Sequence, residues 1–491
     1  MSHDNATPPG ETGPPRTSAV VVVLAMAGIV VSLMQSLVIP LVPDLPELLH
    51  ASATGTAWVV TATLLAGAVA TPAAGRLGDM YGKRRMLVLS LALMVLGSIT
   101  GGLSNSLVPM IVGRALQGLA AGVIPLGISI MRDELPAERL GSAIAMMSAS
   151  LGVGGALGLP AAAFLAEYTD WHVLFWASAA LGACATALVL AVVPESAVRT
   201  GGRFDLPGAI GLSIGLVCLL LAISKGGDWG WTSGTTLGLL GAAVLVLVLW
   251  GRWELRTPRP LVDLRVSAHR QVLLTNLAST VFGFAMFAMS LILPQLLQLP
   301  ESLDYGMGRS MLVVGMVMAP SGLVMMAMAP VSARISKLGG PKVTLMVGAV
   351  VVAAGYGLNT VLMSQIWQLV LVSGVIGAGI GLAYGAMPAL ITAAVPVSET
   401  GAANSLNTLM RSIGTSISSA VAGVVLAQLT VTIGPVTVPS QTGFRVIMGI
   451  AVFASLAALV IAAFLPGRRA PGEATGSGES TAPSESAPAS S

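Results

Sequence analysis

Apolar residues come in long blocks along the whole chain. They fall at 18–40, 56–75, 86–104, 107–130, 140–166, 173–193, 207–225, 234–251, 271–297, 309–333, 342–363, 366–392, 402–428 and 443–465. A helix needs roughly 20 mostly apolar residues to cross a hydrocarbon core, and each block approaches or exceeds that. None keeps the strict period-two alternation of a barrel strand. The pattern predicts fourteen transmembrane helices in an all-α polytopic membrane protein. The ends differ in kind. Residues 1–17 are polar and Pro-rich, and 466–491 are rich in Gly, Ser, Ala, Pro and Glu, so both read as disordered tails that cannot build a core. The first apolar block is too long for a signal-peptide core.

Composition narrows the class. The 491 residues are 55% hydrophobic and 9% charged, against roughly 25% charged in soluble domains. Mean hydropathy is +0.87. A net charge of +3, dispersed along the chain, excludes a nucleic-acid partner. Cys184 and Cys218 sit in apolar runs, and the four histidines lack ligand spacing, so no metal or cofactor is expected. No clustered nucleophile, base or metal set points to an enzyme, and no ring-forming filter sequence points to a channel.

The basic residues sort by side. With the N-terminus in the cytoplasm, nineteen of the twenty-four Lys and Arg fall on that face. Three (Lys225, Arg309 and Arg445) fall on the other, and two (Arg114 and Arg411) lie inside helices. This positive-inside bias predicts a multi-pass protein of the cytoplasmic (inner) membrane with both termini cytoplasmic.

Two echoes divide the chain. PAAGRLGDMYGKR (Pro72–Arg84) aligns without gaps to PVSARISKLGGPK (Pro330–Lys342), matching Arg76 to Arg334 and Gly82 to Gly340. PAERLG (Pro136–Gly141) likewise echoes PVSETG (Pro396–Gly401). The echoes follow the second and fourth helices of each half. They predict six-helix bundles at 18–193 and 271–465, with 194–270 a linker carrying two inserted helices. Two such bundles can rock about a central site and expose it alternately to each side.

GRLGDMYGKRR (Gly75–Arg85) resembles the loop signature of the major facilitator superfamily, and GRALQGLAAG (Gly113–Gly122) resembles its fourth-helix motif. With fourteen spans, the resemblance extends over 18–465 and points to the drug:proton antiporter branch. In the first motif Gly75, Gly78 and Gly82 permit a tight turn, while Arg76, Lys83, Arg84 and Arg85 hold it at the anionic surface. The resemblance implies that Asp79 locks a cytoplasmic gate by pairing with basic groups and a helix N-terminus across the bundle interface. The alternative is an acid that balances local charge. Met80 stands where the family usually has a base. For Arg114, with Gln117 one turn along, the resemblance implies a part in proton coupling or substrate contact, against a structural arginine bonded to carbonyls. In GVGGALGLP (Gly152–Pro160), Gly154 and Gly158 keep small-xxx-small spacing for close packing, but Pro160 arrives one residue later than in the family's antiporter motif.

Arg411, Asn404 and Asn407 share one helical stripe and line either the cavity or the gate, unless Arg411 snorkels to the cytoplasm. Gln35, Asn276, Tyr384, Gln295 and Gln298 are further polar cavity candidates. Drug:proton relatives often carry an aspartate in the first helix; aligning Pro43 with their proline puts Met34 there. Asp44 and Glu167 are the remaining candidates for protonation, each also readable as a solvated loop carboxylate.

Together these features predict a secondary active transporter that exports hydrophobic drug-like or antibiotic compounds, driven by the proton gradient. With no acid inside the membrane, neutral or weakly charged lipophilic substrates fit better than permanent cations. The alternative is a carrier of an endogenous metabolite, lipid or peptide, by export or uptake. Its partners would be the substrate, protons and lipid, and nothing calls for an oligomer.

Overall fold

The computed structural model describes residues 14–42, 44–196, 198–433 and 436–466. Fourteen of its helices are long and apolar enough to cross a membrane. They are α1 (Pro14–Ser36), α2 (Trp58–Tyr81), α3 (Lys83–Gly102), α4 (Leu107–Glu134), α5 (Ala137–Tyr168), α6 (His172–Val192), α7 (Leu206–Trp229), α8 (Gly234–Arg256), α9 (Arg270–Gln298), α10 (Met311–Gly339), α11 (Pro341–Asn359), α12 (Ile366–Ala394), α13 (Thr400–Gln428) and α14 (Gln441–Ala463). A 3₁₀ turn at Leu119–Gly122 interrupts α4. The first helix begins at Pro14, so 14–17 are helical rather than part of a tail; 1–13 and 467–491 lie outside the described residues.

Two apolar cores match the two bundles. One gathers residues of α1 to α6, among them Leu24, Leu87, Leu126 and Val189. The other gathers α9 to α14, among them Ile292, Val314, Tyr356, Ile380 and Phe444. Large side chains such as Val108, Val361 and Phe453 are at least 70% exposed. Water would not tolerate that surface over fourteen helices, whereas acyl chains solvate it.

The bundles meet through α5 on α10 and α2 on α13. The internal repeat maps α2 onto α10 and α5 onto α13, so these two contacts correspond under it. Backbone conformation supports the same correspondence. Gly82, between α2 and α3, and Gly340, between α10 and α11, both have positive φ, 123° and 88°. A side chain would be strained at either turn.

The inserted α7 packs on both α2 and α13, where Leu212, Leu216 and Leu220 cover Ala68 and Leu409. Lys225 of α7, 4% exposed, stands 6.0 Å from the Trp58 ring and pairs with Asp228 at 3.0 Å. The other inserted helix, α8, is the least buried of the spans.

One feature departs from an all-helical chain. β1 (Thr430–Ile433) and β2 (Val436–Pro439) form an antiparallel hairpin between α13 and α14. The Tyr305 hydroxyl donates to Pro439 O at 2.8 Å and ties it to the loop before α10. The alternating Thr and Val of TVTI and VTVP were the available signal, overlooked beside the long apolar blocks.

Candidate functional site

The Gly75–Arg85 motif runs from the last turns of α2 into α3, on the arginine-rich face. Close approach of α2 to α13 is possible because Gly75 lacks a Cβ; one added there would collide with Ser405 and with Gly401 O. That approach brings Asp79 to the first turn of α13. Its carboxylate accepts from the Gly401 N–H at 3.2 Å and the Ala402 N–H at 2.8 Å, and the residue is only 1% exposed. Helix N-termini present unsatisfied N–H groups and positive potential, which suits a carboxylate.

A charge network extends from there. Lys83, fully buried, lies 3.9 Å from Asp79 and donates to Asp133 of α4 at 2.7 Å. Ser196 also donates to Asp133. The Thr200 N–H donates to Asp79 O at 2.8 Å, Arg84 donates to Leu190 O at 2.5 Å, and Arg85 stands 3.6 Å from Glu195. Met80 is buried at 3% exposure, so the position of the family's base holds an apolar contact. Arg76 lines a cavity of about 220 Å³ with Arg259, Asp263, Glu399 and Leu406.

A second bridge between the bundles was not foreseen. Arg132 of α4 donates to Val395 O at 3.0 Å, Thr400 Oγ1 at 2.5 Å and Pro396 O at 3.4 Å. In the sequence Arg132 is one of the nineteen basic residues assigned to the cytoplasmic face. Its available signal was the echo that marks Pro396–Gly401 as the start of α13.

Inside the membrane each bundle has its own polar cluster. In the first, Arg114 is 2% exposed and donates to Met34 O (3.2 Å), Val59 O (3.3 Å) and Gln117 Oε1 (2.7 Å); Gln117 passes a hydrogen bond to Ser98 at 2.9 Å. Its carbonyl partners belong to the last turn of α1 and the first turn of α2, so Arg114 lies toward the face opposite the arginine-rich one. In the second cluster, Asn407 donates to Asn276 at 3.0 Å and Ser279 at 2.6 Å. Arg411 stands 4.6 Å above the centre of the Tyr384 ring, and Asn404 donates to Thr400 O at 3.0 Å.

Gln35 and Gln298 are exposed, apart from both clusters. Asp44 and Glu167 are exposed as well. The buried acids lie elsewhere. Besides Asp79 there is Glu254 of α8, 2% exposed, against Gly208 and beside Asp205, which accepts from Trp253 at 3.2 Å. Glu254 lies in the last turn of α8, three residues beyond the apolar block 234–251, and does not stand out in the sequence.

Gly154 and Gly158 meet Ser32 and Ser36 of α1, while Pro160 is the surface against which Gly315 of α10 fits. The methionines of α10 divide: Met318 and Met325 are buried, whereas Met316 and Met326 are exposed. Among the described residues no group of three potential metal ligands occurs.

Comparison with known proteins places this arrangement. The sequence matches the profile of the Major Facilitator Superfamily over residues 24–419 and again over 310–490. It is 27% identical over 416 residues to the multidrug resistance protein Stp of Mycobacterium tuberculosis (strain CDC 1551 / Oshkosh), covering 84% of this chain and 76% of that one. It is 30% identical over 397 residues to the tetracenomycin C resistance and export protein of Streptomyces glaucescens, covering 78% and 71%. The fold is similar to the crystal structure of the human organic anion transporter MFSD10 (TETRAN), with a TM-score of 0.65, 15% identity and coverage of 92% and 100%. It is also similar to the proton:xylose symporter XylE, with a TM-score of 0.64 and 14% identity over 92% and 96%.

Proposed function

We propose that this chain, which belongs to the Major Facilitator Superfamily and is a membrane transporter rather than an enzyme, exports hydrophobic drug-like or antibiotic compounds across the cytoplasmic membrane. Its arginine-rich face is cytoplasmic, as are both termini, and a proton entering in exchange drives export. The reading draws support from relatives named for multidrug resistance and for export of an antibiotic. The observation that carries it is the Asp79 carboxylate seated on the first turn of α13. That contact joins the two bundles at the arginine-rich face through hydrogen bonds, and such a contact can open and close.

In this reading Asp79, Lys83 and Arg132 hold the cytoplasmic gate shut. Hydrogen bonds to a charged group contribute about 1.5–3 kcal/mol each, enough for a few of them to set which face is closed. Arg114 braces α1, α2 and α4 near the outer end. It cannot itself carry the proton, because a guanidinium does not deprotonate. Asp79 is the gate acid through which proton uptake would loosen the closed face, since its protonated form binds the α13 amides less well. One proton crossing 100 mV is worth about 2.3 kcal/mol, roughly a fifty-fold gradient of a neutral compound.

The test is a susceptibility and accumulation panel in an efflux-deficient bacterial host. Expression should lower accumulation of lipophilic antibiotics, and a protonophore should abolish that effect. Unchanged accumulation with the protein in the membrane would overturn export, and export indifferent to the protonophore would overturn proton antiport.

A further inference from the structure

The membrane interior of this protein carries positive charge without a matching negative one. Every carboxylate in the fourteen helices lies within two residues of a helix end. The two interior cations are Arg114 and Arg411, and they differ in how well they are satisfied.

Arg114 spends its donors on two backbone carbonyls and the Gln117 amide oxygen. Arg411 does not. Its guanidinium has a single long hydrogen bond, Nη2 to Thr408 Oγ1 at 3.4 Å, and the face of the Tyr384 ring. Five N–H donors in a planar fork are available to such a group, so most remain unused. The residue is 9% exposed and sits eleven residues beyond Thr400 in the 29-residue α13, about 16 Å along the helix axis. That is too deep for the chain end to supply a carboxylate. Gly283 of α9 fits directly against the Arg411 backbone, which fixes the position of the arginine in the bundle. A guanidinium that is 9% exposed, fixed in the bundle and under-satisfied is a site for an anion.

We propose that Arg411 anchors an anionic group on the transported compound, so that the preferred substrates are lipophilic organic acids: carboxylates, or phenols and enols acidic enough to ionise. Tyr384 holds the guanidinium by its ring face when no anion is bound, a contact that leaves the edge donors free. The neighbouring Asn276–Asn407–Ser279 cluster adds neutral hydrogen-bonding capacity in the same bundle. This deepens the export reading and rests on it.

The experiment uses the full chain in proteoliposomes with an imposed proton gradient and three dyes of similar size: fluorescein (anionic), Nile red (neutral) and rhodamine 123 (cationic). Wild type should move fluorescein at least tenfold faster than rhodamine 123. Arg411→Gln should lower the ratio of fluorescein to Nile red transport at least tenfold, and Arg411→Lys, which keeps charge but loses the fork, should fall between. Rhodamine 123 moving as fast as fluorescein in wild type would overturn the proposal, and that result needs no variant to fold. An unchanged dye ratio in a well-folded Arg411→Gln, judged by gel filtration, would do the same. Movement of Nile red without fluorescein defeats the acid preference and leaves export standing. No gradient-driven movement of any dye defeats the export reading itself.

Discussion

Replacing Asp79 by Asn changes the contact between α2 and α13, the proposed gate, with little change in shape. The wild-type carboxylate accepts from two α13 amides, at 3.2 and 2.8 Å, in a site only 1% exposed. Asparagine offers one acceptor oxygen and turns an NH₂ donor toward the second amide. The closed state then loses one charge-assisted hydrogen bond, and the other becomes neutral. With about 1.5–3 kcal/mol for each charged bond and about 1 for a neutral one, the net loss is roughly 2–5 kcal/mol. Tenfold per 1.4 kcal/mol converts this to a shift of roughly 30- to 4,000-fold toward the open state. Lys83 keeps its 2.7 Å partner Asp133, so the helix pair α3–α4 should stay folded. Hydrogen–deuterium exchange read by mass spectrometry tests this directly. Peptides covering 72–85 and 396–408 should take up deuterium faster in Asp79→Asn, and drug export should fall at least tenfold. Unchanged exchange at the start of α13 would refute the reasoning, whatever happens to transport.

Other expectations follow from the same contacts. Arg114→Ala leaves two carbonyls and Gln117 without their donor, at about 1–3 kcal/mol for each orphaned group, so a melting temperature in detergent should drop by several degrees along with transport. Gly414→Ala drives a methyl into Thr280 O on α9 and should cost expression of folded protein, whereas Gly423→Ala, with open space around it, should melt like wild type. Glu254→Gln removes a buried charge beside Asp205 and should leave thermal stability equal or raised; a marked fall would mean that the charge is compensated.

The spans were legible because a bilayer demands unbroken apolar length, which few soluble segments supply. The repeat was legible because a turn with positive φ needs glycine in both halves, as Gly82 and Gly340 show. The Asp79 contact was half legible. Asp79 stood out as one acid among four bases, but its partners are the backbone amides of Gly401 and Ala402, which no residue type announces. Arg132 escaped because its acceptors are mostly carbonyls. Glu254 escaped because one acid in the last turn of an apolar helix reads as solvated until the linker and α7 are folded over it. Asp44 and Glu167, the protonation candidates that could equally be solvated loop carboxylates, are exposed, because burial depends on neighbouring helices that the linear order does not reveal.

The most direct test of two bundles tilting about a central cleft is a pair of spin-label distances measured on one protein. Cys184 and Cys218 would be replaced by Ser, with labels at Tyr81 and Val397 on the arginine-rich face and, separately, at Leu103 and Val361 on the opposite face, all of them exposed. Lowering the pH or introducing Asp79→Asn should lengthen the first distance while shortening the second. Two distances that stay fixed, or that change in the same direction, would contradict alternating access in this protein.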